Sequence, residues 1–126
     1  MPLHRPIATL ALALAAVGAQ AQSASEDALD CKSPTLGQQG MNQCAWQAFN
    51  VQDRELNQLY KRLVKQSDAD AAKQLQAAQR AWLQFRDLEC VFESPDAAGS
   101  LGSAEKAQCQ EALTRERIAD IKRSLR

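Results

Sequence analysis

Four cysteines are spread along a chain of 126 residues, and no two of them form a CxxC pair. An even number of cysteines in a small secreted chain is typical of a disulfide framework, whereas zinc ribbons and c-type haem need CxxC or CxxCH motifs. We therefore predict two disulfides and neither a metal site nor another cofactor. The four cysteines are Cys31, Cys44, Cys90 and Cys109.

The N-terminus has the pattern of a secretory signal. Arg5 precedes the apolar run IATLALALAAVGA, and Ala19 and Ala21 form the small-x-small AQA pattern that signal peptidase cleaves. A transmembrane anchor is the alternative, but the run is 13 residues long, and a membrane span needs about 20. We predict that residues 1–21 are cleaved and that the mature protein, without a membrane anchor, is periplasmic or secreted.

Charge and histidine content then exclude several functions. Cleavage removes Arg5, which leaves 15 − 1 = 14 basic residues against 15 acidic ones, interleaved along the chain. Nucleic-acid binding needs a clustered basic surface, so we expect no nucleic-acid partner. Cleavage also removes His4, the only histidine, and with it every mechanism that uses an imidazole.

The rest of the sequence predicts an all-α fold. Residues 22–40, with Pro34, Gly37 and Gly40, are typical of an irregular arm. Helical periodicity then covers about 41–65, 67–92 and 104–124, with Ser67 and Ser103 as expected N-caps, and alternating strand patterns are absent. The short turn after the first helix predicts an up-down-up bundle, with one helical domain over residues 41–126.

This arrangement brings three cysteines, from the start of the first helix, the end of the second and the start of the third, to one end of the bundle. We expect Cys31–Cys44 to pin the arm and Cys90–Cys109 to join the second and third helices. The pairing of Cys31 with Cys90 and of Cys44 with Cys109 stays open, because connectivity cannot be derived from sequence alone.

We predict structural roles for the polar residues near the apolar stripe of the second helix. Trp82 and Phe85 lie on that stripe and are expected in the core. Glu89 shares their face, so we expect its carboxylate to pair with Arg86 or with Arg117 of the third helix. Asp53 of the first helix is a second possible partner for Arg117.

The sequence contains no convincing catalytic group. Glycosidase-type chemistry needs two carboxylates flanking a cleft, and no second carboxylate shares the face of Glu89. The serines of the loop at residues 93–103 have no histidine to activate them, and the thiols are assigned to disulfides. We therefore predict that the protein is not an enzyme.

The loop ESPDAAGSLGS, residues 93–103, is the candidate for recognition. If Cys90–Cys109 forms, this loop becomes a constrained protrusion suited to entering another protein's cleft, with Glu93 and Asp96 at its base. An ordinary solvated connection is the alternative, because loops of this composition are common.

Four sequence blocks together resemble the LprI family of lysozyme inhibitors, small secreted bacterial domains. The blocks are MNQCA at 41–45, DRELNQLY at 53–60, AQRAWLQFRDLEC at 78–90 and CQEALTRER at 109–117, and the resemblance covers about residues 31–125. The residues that carry it are Asn42, Cys44, Asp53, Leu56, Asn57, Tyr60, Gln79, Trp82, Arg86, Asp87, Cys90, Cys109, Leu113 and Arg117.

The resemblance implies a disulfide-stapled helical domain that binds and inhibits lysozyme outside the cell. Two alternatives remain: a structural or envelope-stress accessory protein, and a helical carrier of a small apolar ligand. An open apolar pocket walled by Tyr60, Trp82 and Phe85 would favour the carrier, whereas a projecting, disulfide-anchored loop would favour the inhibitor.

Overall fold

The fold is a bundle of three helices, seen in a computed structural model that describes residues 29–95 and 104–125. The helices are α1 (Gln38–Gln66), α2 (Ala69–Phe92) and α3 (Ala104–Ser124), and the described residues contain no strand. The all-α prediction is therefore confirmed. The expected signal sequence, Asp96 and the expected cap Ser103 lie outside the described residues.

Helix boundaries differ from the predicted ones at two places. The first helix begins three residues earlier than expected, at Gln38, so the irregular arm ends at Gly37. Asp68, and not Ser67, caps α2: its carboxylate accepts hydrogen bonds from the backbone N–H groups of Asp70 and Ala71. Ser67 instead ends α1, where its hydroxyl donates to the carbonyl of Leu63.

The helices run up, down and up, so α1 and α3 are parallel. The backbone N–H of Ala104, at the start of α3, donates to Asn42 Oδ1 near the start of α1. Farther along, Lys122 Nζ lies 2.7 Å from Glu55 Oε1. These two helices form the closest pair, and α2 packs more loosely against both.

The apolar core lies between α1 and α3. Leu56, Leu59, Ile118 and Ile121 are buried together. Partly buried apolar side chains close around this cluster, among them Trp82 from α2; the others are Tyr60, Leu63 and Leu125. Burial of such side chains supplies the main driving force for folding, and it joins α1 to α3 more than it joins either helix to α2.

The buried face of α2 differs from the apolar stripe that the sequence predicts for this helix. Its buried residues are Gln79, Arg86 and Cys90, which lie roughly a quarter of a turn from the stripe at the α-helical 100° per residue. Trp82 packs against the core as predicted, but the prediction for Phe85 is wrong, because half of that side chain is exposed. Phe92 is likewise exposed.

Two disulfides close one end of the bundle. Cys31–Cys44 joins the arm to α1, and Cys90–Cys109 joins the end of α2 to the start of α3. The expected connectivity is confirmed, and the alternative pairing is wrong. In the chain-entropy model, closing loops of these lengths, 13 and 19 residues, stabilises a fold by about 3 kcal/mol each.

Candidate functional site

Among the described residues, the most buried charged group is Arg86, in the C-terminal third of α2. Its guanidinium reaches across to α1, where Nη1 donates to Asp53 Oδ1 at 2.9 Å. The same guanidinium lies over the rings of Phe49 and Trp82, with Cζ 5.0 and 5.3 Å from their centroids. Arg86 therefore connects α1 to α2 through an ion pair and two aromatic contacts.

Residues of α3 complete this polar cluster. Arg86 Nη1 also donates to Thr114 Oγ1 at 3.3 Å, and the Thr114 hydroxyl donates to the carbonyl of Gln110. Asp87 Oδ1 accepts from both Arg86 Nε and Gln110 Nε2 at 3.0 Å. Asp87 is thus a bridge between α2 and α3. Gln110 Oε1 is the one buried side-chain oxygen without a partner in the described part of the chain.

A second inter-helix contact lies nearer the turn between α1 and α2. Arg117 Nε donates to Gln79 Oε1 at 3.1 Å, and its guanidinium lies over the Trp82 ring with Cζ 5.8 Å from the centroid. Trp82 is therefore flanked by two guanidinium groups, from Arg86 and Arg117. Each such contact stabilises a protein by about 0.5–2 kcal/mol, depending on how far the cation is desolvated.

In the structure, these polar residues pair with partners other than the expected ones. Asp53 pairs with Arg86 and not with Arg117. Glu89 is half-buried at the edge of α2, and within the described residues its carboxylate pairs with neither Arg86 nor Arg117. Arg86 forms ion pairs with two other carboxylates, those of Asp53 and Asp87, and Arg117 donates a hydrogen bond to the side-chain amide oxygen of Gln79.

The chemistry of this cluster is that of a structural network. Its charges are paired with one another across helices, and all four cysteines form disulfides, which leaves no thiol. In residues 29–95 and 104–125, no three acidic, cysteine or histidine side chains are grouped as metal ligands would be. Gln110 and Thr114 were not predicted from the sequence, although polar residues four apart on a helix share one face.

Glu93, one of the two predicted recognition residues, lies at the end of the bundle that the disulfides close. Glu93 is exposed and ends α2, and its N–H donates to the carbonyl of Glu89. Ser94, the next residue, is 4% exposed, so the chain is anchored again before it leaves the described region at residue 95. Asp96 lies outside that region, and the structure does not place it relative to Glu93.

A groove of about 450 Å³ opens beside the Cys31–Cys44 disulfide. It separates the arm and the start of α1 from the start of α3, and its walls are mixed polar and apolar. Its lining includes Leu36, Met41, Ala45 and Glu105. None of Tyr60, Trp82 and Phe85, the residues expected to wall a carrier pocket, borders this groove.

Across the described residues, no helix is long and apolar enough to cross a bilayer.

Comparison with known proteins gives a family match over most of the chain. The family model described as "Lysozyme inhibitor LprI" matches residues 28–121. The chain is also similar to an uncharacterized protein of Rhizobium meliloti (strain 1021), with 35% identity over 109 residues, covering 74% of this chain and 76% of that protein. No solved structure gives a significant match.

Proposed function

Because the chain belongs to the LprI family of lysozyme inhibitors, we propose that it is a non-catalytic, secreted protein-binding module that inhibits lysozyme. In this proposal the loop at residues 93–103 enters the enzyme's cleft, and Glu93 and Asp96 contact basic or catalytic groups there. The site of action is the periplasm or the exterior of the cell, where the two disulfides persist.

The observation that carries this proposal is the covalent closure of the loop. The Cys90–Cys109 disulfide holds the end of α2 to the start of α3 with a Cα–Cα distance of 5.5 Å. Buried Ser94 fixes the chain beyond Glu93. A loop fixed at both ends loses less conformational entropy on binding than a free one, and this raises affinity for a given set of contacts.

The electrostatics of this end of the bundle support a basic partner. Glu93 and Glu105 are exposed and lie within four residues of Cys90 and Cys109, and neither is in a salt bridge within the described residues. Lysozymes of the animal type are strongly basic, so this local acidic group would attract them although the whole chain is close to neutral. We therefore expect inhibition to weaken with salt, because screening shortens the reach of exposed charges.

The interior chemistry supports a binding role over a catalytic one. The buried Arg86 has its charge matched by Asp53 and Asp87, and the cysteines are oxidised. We therefore expect the partner to bind at the loop end of the bundle and not at the polar network in its interior.

The proposal is tested by lysis of a peptidoglycan suspension with animal-type lysozyme, in the presence of the oxidised mature protein. We compare the native chain with the pair Glu93→Gln and Asp96→Asn, which removes two charges and little volume. The matched control, Asp70→Asn with Glu116→Gln, removes two exposed acidic charges on other parts of α2 and α3.

We expect dose-dependent inhibition by the native chain and by the control pair. The loop pair should need about tenfold more protein or worse, since residues at the centre of an interface each contribute more than 1 kcal/mol. Equal inhibition by both pairs would move the contact away from the loop. No inhibition by the native chain at large molar excess would exclude lysozyme of this type as the partner.

A further inference from the structure

The outward face of α2 carries large apolar side chains that the bundle does not cover. Phe85, Leu88 and Phe92 are 50, 63 and 80% exposed. Their spacing of three and four residues puts them on one face of the helix. Scattered apolar residues on a surface are ordinary, but a continuous stripe of this kind marks an interaction surface.

The same face continues toward the start of α2 with small residues. Ala71, Ala78 and Ala81 are exposed and share the phase of the three large side chains. We call these six residues the α2 stripe. Its first half is shallow, because its residues are alanines apart from exposed Gln74 on the same face, and its second half projects, made of phenylalanine and leucine.

We propose that the α2 stripe binds the α2 stripe of a second copy of this chain, with the two helices antiparallel about a two-fold axis. In this register the partner's Phe92 lies opposite Ala71, and the partner's Phe85 lies opposite Ala78. Each projecting ring then meets an alanine in both copies. An isologous contact of this kind is the commonest way in which soluble proteins form dimers.

Parallel pairing is excluded by shape. It would place Phe85 against Phe85 and Phe92 against Phe92, while the alanines of the first half would face each other across a gap. Interfaces are packed about as densely as protein interiors, so the half-shallow, half-projecting stripe complements itself only when the helices run in opposite directions.

A polar pair supports the same register. In this register, the numbers of two residues that face each other across the two-fold axis add up to 163. Ala71 and Phe92 meet this condition, and so do Gln74 and Glu89. By helical phase Gln74 lies within the stripe and Glu89 lies at its margin. Within the described residues, the carboxylate of Glu89 has no ion pair or hydrogen bond, and the partner's Gln74 amide can donate to it. The dimer thus supplies a partner for a half-buried charge.

The size of the stripe sets the strength of the contact. The exposed parts of the two phenylalanines, the leucine and the alanines amount to roughly 500–600 Å² per copy, taking a whole phenylalanine as about 200 Å². Two copies would bury about 1,000–1,200 Å², at the low end of specific interfaces. We therefore expect a dimer that dissociates on dilution into the low micromolar range.

The first test is sedimentation equilibrium of the oxidised mature protein between about 1 µM and 1 mM, a range that spans the affinities of small interfaces. We expect the average mass to rise from one copy to two. Leu88→Ser with Phe92→Ser should weaken the dimer tenfold or more. Val51→Ser, at a half-exposed apolar position of α1, should leave it unchanged, and circular dichroism checks that each variant is folded.

The second test fixes the direction of the helices. Gln74→Lys brings a cation opposite Glu89 in the antiparallel register and should tighten the dimer, whereas Gln74→Glu should loosen it. In a parallel pair position 74 faces itself, so both changes would loosen it. Loosening by Gln74→Lys would therefore overturn the proposed register.

Two other results would overturn the dimer itself. One is a single-copy mass at every concentration. The other is a monomer in which Leu88→Ser with Phe92→Ser abolishes lysozyme inhibition, because the stripe would then be a surface for lysozyme. The dimer does not depend on the proposed inhibition, and inhibition could fail in the lysis assay while the mass still doubles.

Discussion

Replacing Arg86 by alanine tests whether the polar network holds α2 onto the bundle. The side chain is 8% exposed, and its guanidinium joins Asp53 of α1 to Thr114 of α3 while packing on two aromatic rings. The change removes these contacts together. It leaves the Asp53 carboxylate, about one-third exposed, with the hydrogen bond from Asn57 as its one remaining partner in the described part of the chain.

The expected loss follows from those contacts. The charge-assisted bonds to Asp53 and Thr114 contribute about 1.5–2 kcal/mol together, toward the low end because Asp53 is partly solvated. The two aromatic contacts add about 1 kcal/mol, and burial of the aliphatic stem adds about 1 kcal/mol. The total of about 3–4 kcal/mol agrees with the cost of breaking a buried pair, and it is a large share of the 5–15 kcal/mol typical of a domain.

The assay is urea unfolding of the oxidised protein followed by circular dichroism. With a slope of about 1–1.5 kcal/mol per molar urea, the loss moves the midpoint down by about 2–4 M. Arg115→Ala is the control: its side chain is 64% exposed and pairs with Glu111 on the same helix, so it should cost less than about 0.5 kcal/mol.

A loss below about 1 kcal/mol for Arg86→Ala would refute the reasoning, because it would mean that the network offsets its own desolvation and adds nothing. Arg86→Lys refines the result. Lysine keeps the charge but loses the planar fork, so we expect a loss between those of the alanine variant and the control.

Three further changes test other parts of the fold by the same unfolding assay. Replacing Cys90 and Cys109 together by alanine should cost about 3 kcal/mol through the unfolded state, and a change below 1 kcal/mol would contradict this. Asp68→Ala should cost about 1 kcal/mol by removing the cap of α2; an equal loss in Asp70→Ala would show that the effect is not capping. Thr114→Val should cost about 1–3 kcal/mol, since the buried hydroxyl bonds to Arg86 and to a carbonyl, and an unchanged midpoint would refute that assignment.

Much of the fold could be predicted because several signals agree. Helical periodicity, breaker residues and cysteine positions all indicate three helices stapled at one end. That geometry made the observed disulfides the expected pairing but left one alternative pairing open. The start of α1 was missed because Gly40, usually a breaker, lies inside the helix. The cap of α2 was missed by one residue because both Ser67 and Asp68 are good N-cap residues.

The inward face of α2 could not be predicted, because hydropathy assigns burial to apolar residues. Phe85 and Phe92 satisfy that criterion and are exposed, while Gln79 and Arg86 fail it and are buried. Arginine is buried only when its charge is matched, and the match comes from Asp53, which is 33 residues away in sequence. A pattern within one helix carries no information about such a partner.

The two properties of α2 have one physical explanation. A helix that is held by an arginine network, a tryptophan and a disulfide needs no broad apolar face toward its own bundle, so its apolar residues are free to serve another surface. Its attachment is also directional, because charge-assisted hydrogen bonds fix the rotation of the helix more closely than apolar contacts do. Removing the Arg86 side chain should then affect the α2 stripe as well. We expect α2 to rotate in Arg86→Ala and to bury Phe85. The folded variant should then fail to dimerise at concentrations where the Arg115→Ala control still forms a dimer. Retention of the native dimer in folded Arg86→Ala would show that the disulfide and Trp82 alone fix the rotation of α2.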